Sequence, residues 1–295
     1  MLTKVVILIQ QNILPALQHL SVDLNARGVD MVTIADLYDC SRCSTSKDTR
    51  ERADELSHDS CDESEHSTLY ITDSETAYHA LHRRGKYVLP YRHEGNRDSD
   101  FAGALYVIEQ IEEIDYETID MVYCRLAGLP WQILMTERCI IRETTVEDVD
   151  SFYQIYAEPE ITRYMEGLYA DRDEEIAYIK DYQEKVYGFY GYGMWTVLTK
   201  AGTVIGRAGF NWREGFDLPE LGFVIGVPWQ RQGYAYEVCR AVLDYARKEL
   251  GFDRVQALVM QGNDKSELLC KKLGFQYQEE VAEKDCIYRR MICVV

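Results

Sequence analysis

The segment Glu220 to Glu237, ELGFVIGVPWQRQGYAYE, constrains this chain more than any other stretch of it. An apolar run with strand character ends at Val227-Pro228, and a helical pattern with Val238, Ala241, Val242 and Tyr245 on one face begins after a single short loop. That loop, Gln230-Arg231-Gln232-Gly233-Tyr234-Ala235, hands its free backbone N–H groups to a helix N-terminus. Those groups and the helix dipole favour a bound diphosphate. Gly233 lets the backbone come close to the anion, and small Ala235 keeps the first turn uncrowded.

With 295 residues the chain holds two domains on a prior of about 150 residues each. In the first half, Lys4 to Gln10 is a short apolar, β-branched run, and Leu17, Leu20 and Leu24 then share a helical face closed by Gly28. Strand signals follow at Val29 to Asp36, Thr68 to Asp73 and Lys86 to Pro90, with a helix over Ser74 to Arg84. Two more helical patterns lie around Phe101 to Ile111 and on Ile119, Val122, Tyr123 and Leu126. Strands alternating with helices predict a small, mostly parallel, Rossmann-like α/β domain over residues 1–132. Residues 41–67 carry almost no large apolar side chain and read as a mobile polar insertion. No chemistry is legible in this half: the turn after the first strand is Gln10-Gln11-Asn12 rather than a glycine-rich phosphate loop.

Charge and cysteine usage narrow the partners. Thirty-two basic residues against 50 acidic ones leave a formal charge of −18, a field that repels nucleic acid and anionic membrane and attracts amines. Nine scattered cysteines do not read as a paired secreted framework, no stretch approaches the ~20 apolar residues of a spanning helix, and a cytoplasmic protein is expected. Cys40, Cys43, His58 and Cys61 have a spacing that closes around zinc, but their polar surroundings favour a solvated loop. His79 and His82 read as surface residues of a helix, and no metal is expected.

The second half, residues 136–295, follows the order strand (139–142), helix (147–157), helix (171–187), three strands (195–199, 203–212, 220–227), a strongly amphipathic helix, strand (254–260), helix (264–273) and two closing strands. That is α+β with a central mixed, mostly antiparallel sheet. Gln230 to Ala235 resembles the Q/R-x-x-G-x-G/A loop of the GNAT superfamily of N-acetyltransferases, in the branch that includes ribosomal-protein N-acetyltransferases. Asn263-x-x-Ser266-x-x-Leu269-Cys270-x-Lys272-x-Gly274-Phe275 is similar to the family's N-x-x-A/S-x-x-L-Y-x-K-x-G-F helix.

The resemblance implies acetyl-CoA as co-substrate and a primary amine as acceptor: a small molecule, a polyamine or a protein N-terminus. It assigns the strand Phe223, Val224, Ile225, Gly226 and Val227 to the pantetheine arm and the thioester oxygen. Gln232, Gly233, Tyr234, Ala235 and Tyr236 would hold the diphosphate, with Asn263 and Ser266 nearby. All six histidines lie in the first half, which leaves carboxylates as candidates to take the amine proton, and the resemblance points to Glu220, at the start of the strand, where related enzymes often place a glutamate acting directly or through water. The family's tyrosine acid falls on Cys270; a thiol leaving group with pKa about 8.5 departs as thiolate and asks little of an acid. A CoA-binding regulatory protein without catalysis is the alternative expectation, and the first half is expected to serve docking, homodimer formation or substrate selection.

Overall fold

The computed structural model describes residues 1–9, 13, 15–33, 67–283 and 286–295. The chain divides into two compact units, Met1–Trp131 and Gln132–Val295.

In the first unit, β1 (Lys4–Leu8), β2 (Asp30–Thr33), β3 (Thr68–Thr72) and β4 (Tyr87–Pro90) form a parallel sheet in the order β2-β1-β3-β4. The two central strands are buried on both faces, which is why they read as continuous apolar runs. Val5, Ile7, Leu69 and Ile71 pack with α1 (Gln18–Ala26) and α3 (Tyr116–Leu126) through Leu20, Leu24, Ile119 and Val122. Val6, Leu8 and Tyr70 point the other way and meet α2 (Glu75–His82) through Tyr78 and Leu81. Ser74 and Asp115 cap α2 and α3 by accepting from Ala77 and Thr118 N–H at 3.3 and 2.8 Å.

The helix expected around Phe101 to Ile111 does not form. The segment runs beside β4 instead, where Ile108 N–H donates to Pro90 O (2.8 Å) and Arg92 N–H to Ile108 O (2.7 Å). Its apolar residues are divided between two cores, Phe101 in one and Ile108 and Ile111 in the other, a division that one helical face cannot make. Except for Ser67, the polar insertion lies outside the described residues, as do residues 34–36 at the end of the second expected strand.

The second unit is an eight-stranded sheet in the order β11-β12-β10-β9-β8-β7-β6-β5. Its strands are β5 (Gln132–Met135), β6 (Cys139–Arg142), β7 (Met194–Thr199), β8 (Val204–Asn211), β9 (Glu220–Ile225), β10 (Arg254–Met260), β11 (Gln276–Glu283) and β12 (Cys286–Val294). All neighbours are antiparallel except β9 and β10. Gln132–Met135, at the boundary of the two expected domains, is strand β5, paired to β6. One face carries α7 (Tyr234–Lys248), whose Tyr245 meets Trp195 edge-on at 5.7 Å. α4 (Val149–Tyr156) and α6 (Arg172–Tyr182) pack through Val149, Phe152 and Ile179, and short α5 (Pro159–Thr162) lies between them in the chain. The expected helix to residue 187 is α6 continued by a wider π-type turn, Gln183–Tyr187.

A buried polar knot ties this layer together. Asp148 accepts from both Nη atoms of Arg142 (2.8 and 2.7 Å), from Thr145 N–H (3.0 Å) and from the Thr196 hydroxyl (2.8 Å). Asp148→Asn strands the Arg142 charge, and we expect a loss of about 3 kcal/mol in urea unfolding; a change below about 0.5 kcal/mol, the range of ordinary surface substitutions, would show that the knot is not structural. Among the described residues no helix is long and apolar enough to cross a membrane.

Candidate active site

Strand β9 leads directly into the loop singled out by sequence. After Ile225 the chain makes a short turn at Val227–Trp229, with Pro228 where no N–H is needed, and reaches α7 through Gly233. Arg231 and Gly233 both adopt left-handed backbone, at φ 59° and 86°. Only at Gly233 is that conformation free of strain. Gly233 caps α7 without a side chain, and among the described residues nothing accepts from the backbone N–H groups of residues 231–236. The helix therefore presents its positive end bare.

A brace from the turn between β5 and β6 fixes this mouth. The Arg138 guanidinium donates to the Gln232 carbonyl (2.9 Å) and to Glu237 Oε2 (2.6 Å), and lies 4.2 Å over the Tyr234 ring. Glu237 Oε1 also accepts from the Thr136 hydroxyl (2.6 Å) and Arg138 N–H (2.9 Å). Burial would raise the Glu237 carboxyl, but these donors outweigh it and hold it below the usual carboxylate range.

The second feature is a split in the sheet. β9 pairs with β8 along its whole length, from Glu220↔Asn211 to Ile225↔Gly206, yet its register with β10 has one pair, Glu220↔Gln256. Beyond that pair the strands diverge. Gly226 N–H donates toward β8, to Ile205 O at 2.8 Å, so alternation turns the main-chain groups of Leu221, Phe223 and Ile225 toward the split. Only at its far end is this edge closed, where Gln230 Nε2 donates to Ile225 O at 2.9 Å.

Both features open on one groove of about 1880 Å³. An extended ligand with amides along its arm and a diphosphate at the other end, as in coenzyme A, fits this donor set: a strand edge for the amides, a helix mouth for the anion. Of the residues expected from sequence, Glu220, Phe223, Val224, Ile225, Gly233, Ala235, Tyr236, Asn263, Ser266 and Cys270 line the groove. Gly226 and Val227 form the turn behind it, while Gln232 and Tyr234 are held from outside by Pro228, Trp229 and Arg138. Asn263 caps α8 (Asp264–Lys272) by accepting from Ser266 N–H at 3.2 Å.

Glu220 is half-buried at the end of the split. Both carboxylate oxygens lie 3.3 Å from Arg213, which also pairs with Glu283 at 2.7 Å and stacks 5.1 Å over Tyr288. Burial raises the Glu220 carboxyl above its ordinary value, Arg213 pulls it back, and Glu283 adds to the rise; burial prevails. Cys270 is fully buried, its thiol pushed up to about 12 by burial, with the thiols of Cys239 and Cys293 close enough to act on it or be acted on. Arg213 and Glu283, which line the groove, and Arg138 and Thr136, which brace the helix mouth, were not legible as site residues, because each acts across the fold rather than along a motif.

Cys40, Cys43, His58 and Cys61 lie outside the described residues. His79 bonds the Asp100 carbonyl at 3.0 Å, and His82 is exposed and stacked on Tyr78. Among the described residues no group of three or more His, Cys, Asp or Glu side chains is placed to hold a metal ion.

Residues 138–276 match the family model described as an acetyltransferase (GNAT) domain. The uncharacterized N-acetyltransferase YoaA of Bacillus subtilis is 32% identical over 154 residues, covering 49% of this chain and 82% of its own length. The [ribosomal protein uS5]-alanine N-acetyltransferase of Escherichia coli is 26% identical over 162 residues, covering 51% of this chain and 81% of its own. A solved acetyltransferase from Agrobacterium tumefaciens aligns with 53% of this chain and 92% of its own at 24% identity and a TM-score of 0.46. With that identity to YoaA over most of the relative's length, the chain belongs to the GNAT acetyltransferases, and residues 138–276 are its acetyltransferase domain.

Proposed function

We propose that this acetyltransferase moves an acetyl group from acetyl-CoA directly to a primary amine in the groove between β9 and β10. The observation that carries the reading is the conjunction, in one groove, of an unpaired strand edge, a bare helix mouth and a half-buried carboxylate. Acetyl-CoA supplies the activated acyl group as a thioester. The main-chain N–H groups of Phe223 and Ile225 on the open edge orient the pantetheine arm and stabilise the negative charge that develops on the carbonyl oxygen as the amine attacks. Residues 231–236 take the diphosphate.

Glu220 removes the proton from the ammonium form of the acceptor, directly or through one water. Its raised affinity for protons makes it a better acceptor than a solvated carboxylate. Cys270, on α8, packs against α7 and β12 and stays protonated, its thiol pushed up to about 12 by burial; coenzyme A leaves as thiolate. The uS5-alanine relative keeps a peptide α-amine among the candidate acceptors, beside polyamines and small amines. The first unit serves as an accessory module for docking, pairing or substrate selection.

Release of free CoASH by the full chain, measured with acetyl-CoA alone and with spermidine, an alanyl peptide or free amino acids added, tests the reading. Amine-dependent release is expected. Tight CoA binding with no release under any acceptor would instead identify a sensor of the ligand.

A further inference from the structure

Among the described residues, the buried guanidinium of Arg207 in the groove has no ion-pair partner. Arg207 lies on β8, opposite Val224 of β9 and Thr196 of β7. Two and four residues on, Gly209↔Gly222 and Asn211↔Glu220 carry the same face, so Arg207 and Glu220 project from one side of the sheet, their backbones about 13 Å apart along the strands. Both line the groove.

Arg207 is 8% exposed. Its guanidinium rests 4.9 Å over the Phe152 ring, and its Nε–H has no partner. The acidic groups that act on it most strongly are phenols, Tyr156, Tyr178, Tyr182 and Tyr187, and burial raises all four, Tyr182 to about 12; the buried Glu175 carboxylate acts on Tyr156 and Tyr178 but forms no ion pair with Arg207. The phenols stay neutral at physiological pH and offer only dipoles. Elsewhere in the unit, Arg142, Arg213 and Arg290, with side chains 18, 27 and 15% exposed, are each ion-paired with a carboxylate. Among the described residues Arg207 is paired with none. A guanidinium buried to this degree without a counter-ion is costly, and an N–H left unbonded beside a groove is a vacant donor.

We propose that the acceptor carries a carboxylate on the same molecule as its amine, and that Arg207 receives it. The acceptor class is therefore the amino acids, α or ω, bound with the carboxylate on Arg207 and the amine toward Glu220 and the thioester. A zwitterion also suits a protein of net charge −18, which would repel a simple anion at long range but not a neutral pair of charges. The inference rests on the acetyl-transfer reading above and narrows its acceptor.

The test compares free amino acids with their primary amides in the full chain. At pH 7–8 the amide has the less basic amine and hence more free base, so without a carboxylate contact the amide is the better acceptor. Lysine, alanine and 4-aminobutyrate are expected to exceed their amides in kcat/KM by about 100-fold, the size of a truncated charge-assisted contact. Arg207→Met is expected to bring the acids down to the level of the amides while changing the amides less than about threefold. Should that variant not fold, Arg207→Lys keeps the charge and loses the fork, and a selective loss of about tenfold for the acids is expected. Amides as good as acids in the wild type, or equal losses for both in the variants, overturn the inference and make Arg207 a purely structural cation. Transfer to spermidine or an alanyl peptide with none to amino acids also overturns it, yet leaves the acetyltransferase reading standing. If no acceptor yields CoASH, both fall.

Discussion

Glu220→Gln is expected to lower kcat by two to four orders of magnitude, roughly the range of general-base catalysis, while leaving CoA affinity within about threefold. An alkyl amine has a pKa near 10.4, so at pH 7 only about one molecule in 2,500 is the free base that can attack. A carboxylate at the reaction centre relieves that shortage only when ionised. Activity is therefore present above the Glu220 pKa and falls as pH drops through it. Because burial outweighs Arg213 and raises this carboxyl, the acidic limb of kcat/KM should begin above the ordinary glutamate value of about 4.3. Glutamine has nearly the same volume and can still accept from Arg213, so the fold is retained. Its profile should lack the acidic limb. A variant with undiminished turnover and an unchanged limb would remove Glu220 from the mechanism.

Gly233→Val attacks the other end of the groove. The residue sits at φ 86°, where a β-branched side chain is strained, and an added Cβ would lie 3.4 Å from Arg138 Nη2. Valine therefore disturbs the bare N–H groups and their brace together. We expect CoA affinity to fall by about 100-fold, equivalent to ~2.7 kcal/mol and thus to one or two charge-assisted hydrogen bonds. Pantetheine, which has no diphosphate, should bind the variant as it binds the parent to within about threefold. Calorimetry with both ligands separates the cases. Equal weakening of both would point to general damage, and unchanged CoA binding would remove the helix mouth from the site.

What sequence made legible was local. The strand, loop and helix from Glu220 onward are contiguous, and each is specified by its own period and turn chemistry, so they could be read without knowing the rest of the fold. The same holds for β1 and β3, whose uninterrupted apolar runs match their burial. The brace on Gln232 and Glu237 comes from Thr136 and Arg138, about a hundred positions away, and no spacing rule connects them. Arg213 is near Glu220 in sequence, but the turn between β8 and β9 decides whether they meet. The failure at Phe101 to Ile111 has a definite cause: helical spacing was present, but those apolar residues serve two cores. A motif registers position and not depth: Cys270 stands where the family's tyrosine falls, and its burial among Cys239 and Cys293 depends on three separate elements.

The single rung joining β9 to β10 also bears on mechanics. Five strands on one side and three on the other are stitched there by one pair of residues, so the eight strands behave as two flaps sharing a seam. A guest that threads the seam and bonds to either lip completes the weave from outside the polypeptide. Its grip then counts twice, once as recognition and once as mortar, and the folded form gains resilience in proportion to how fully the seam is filled.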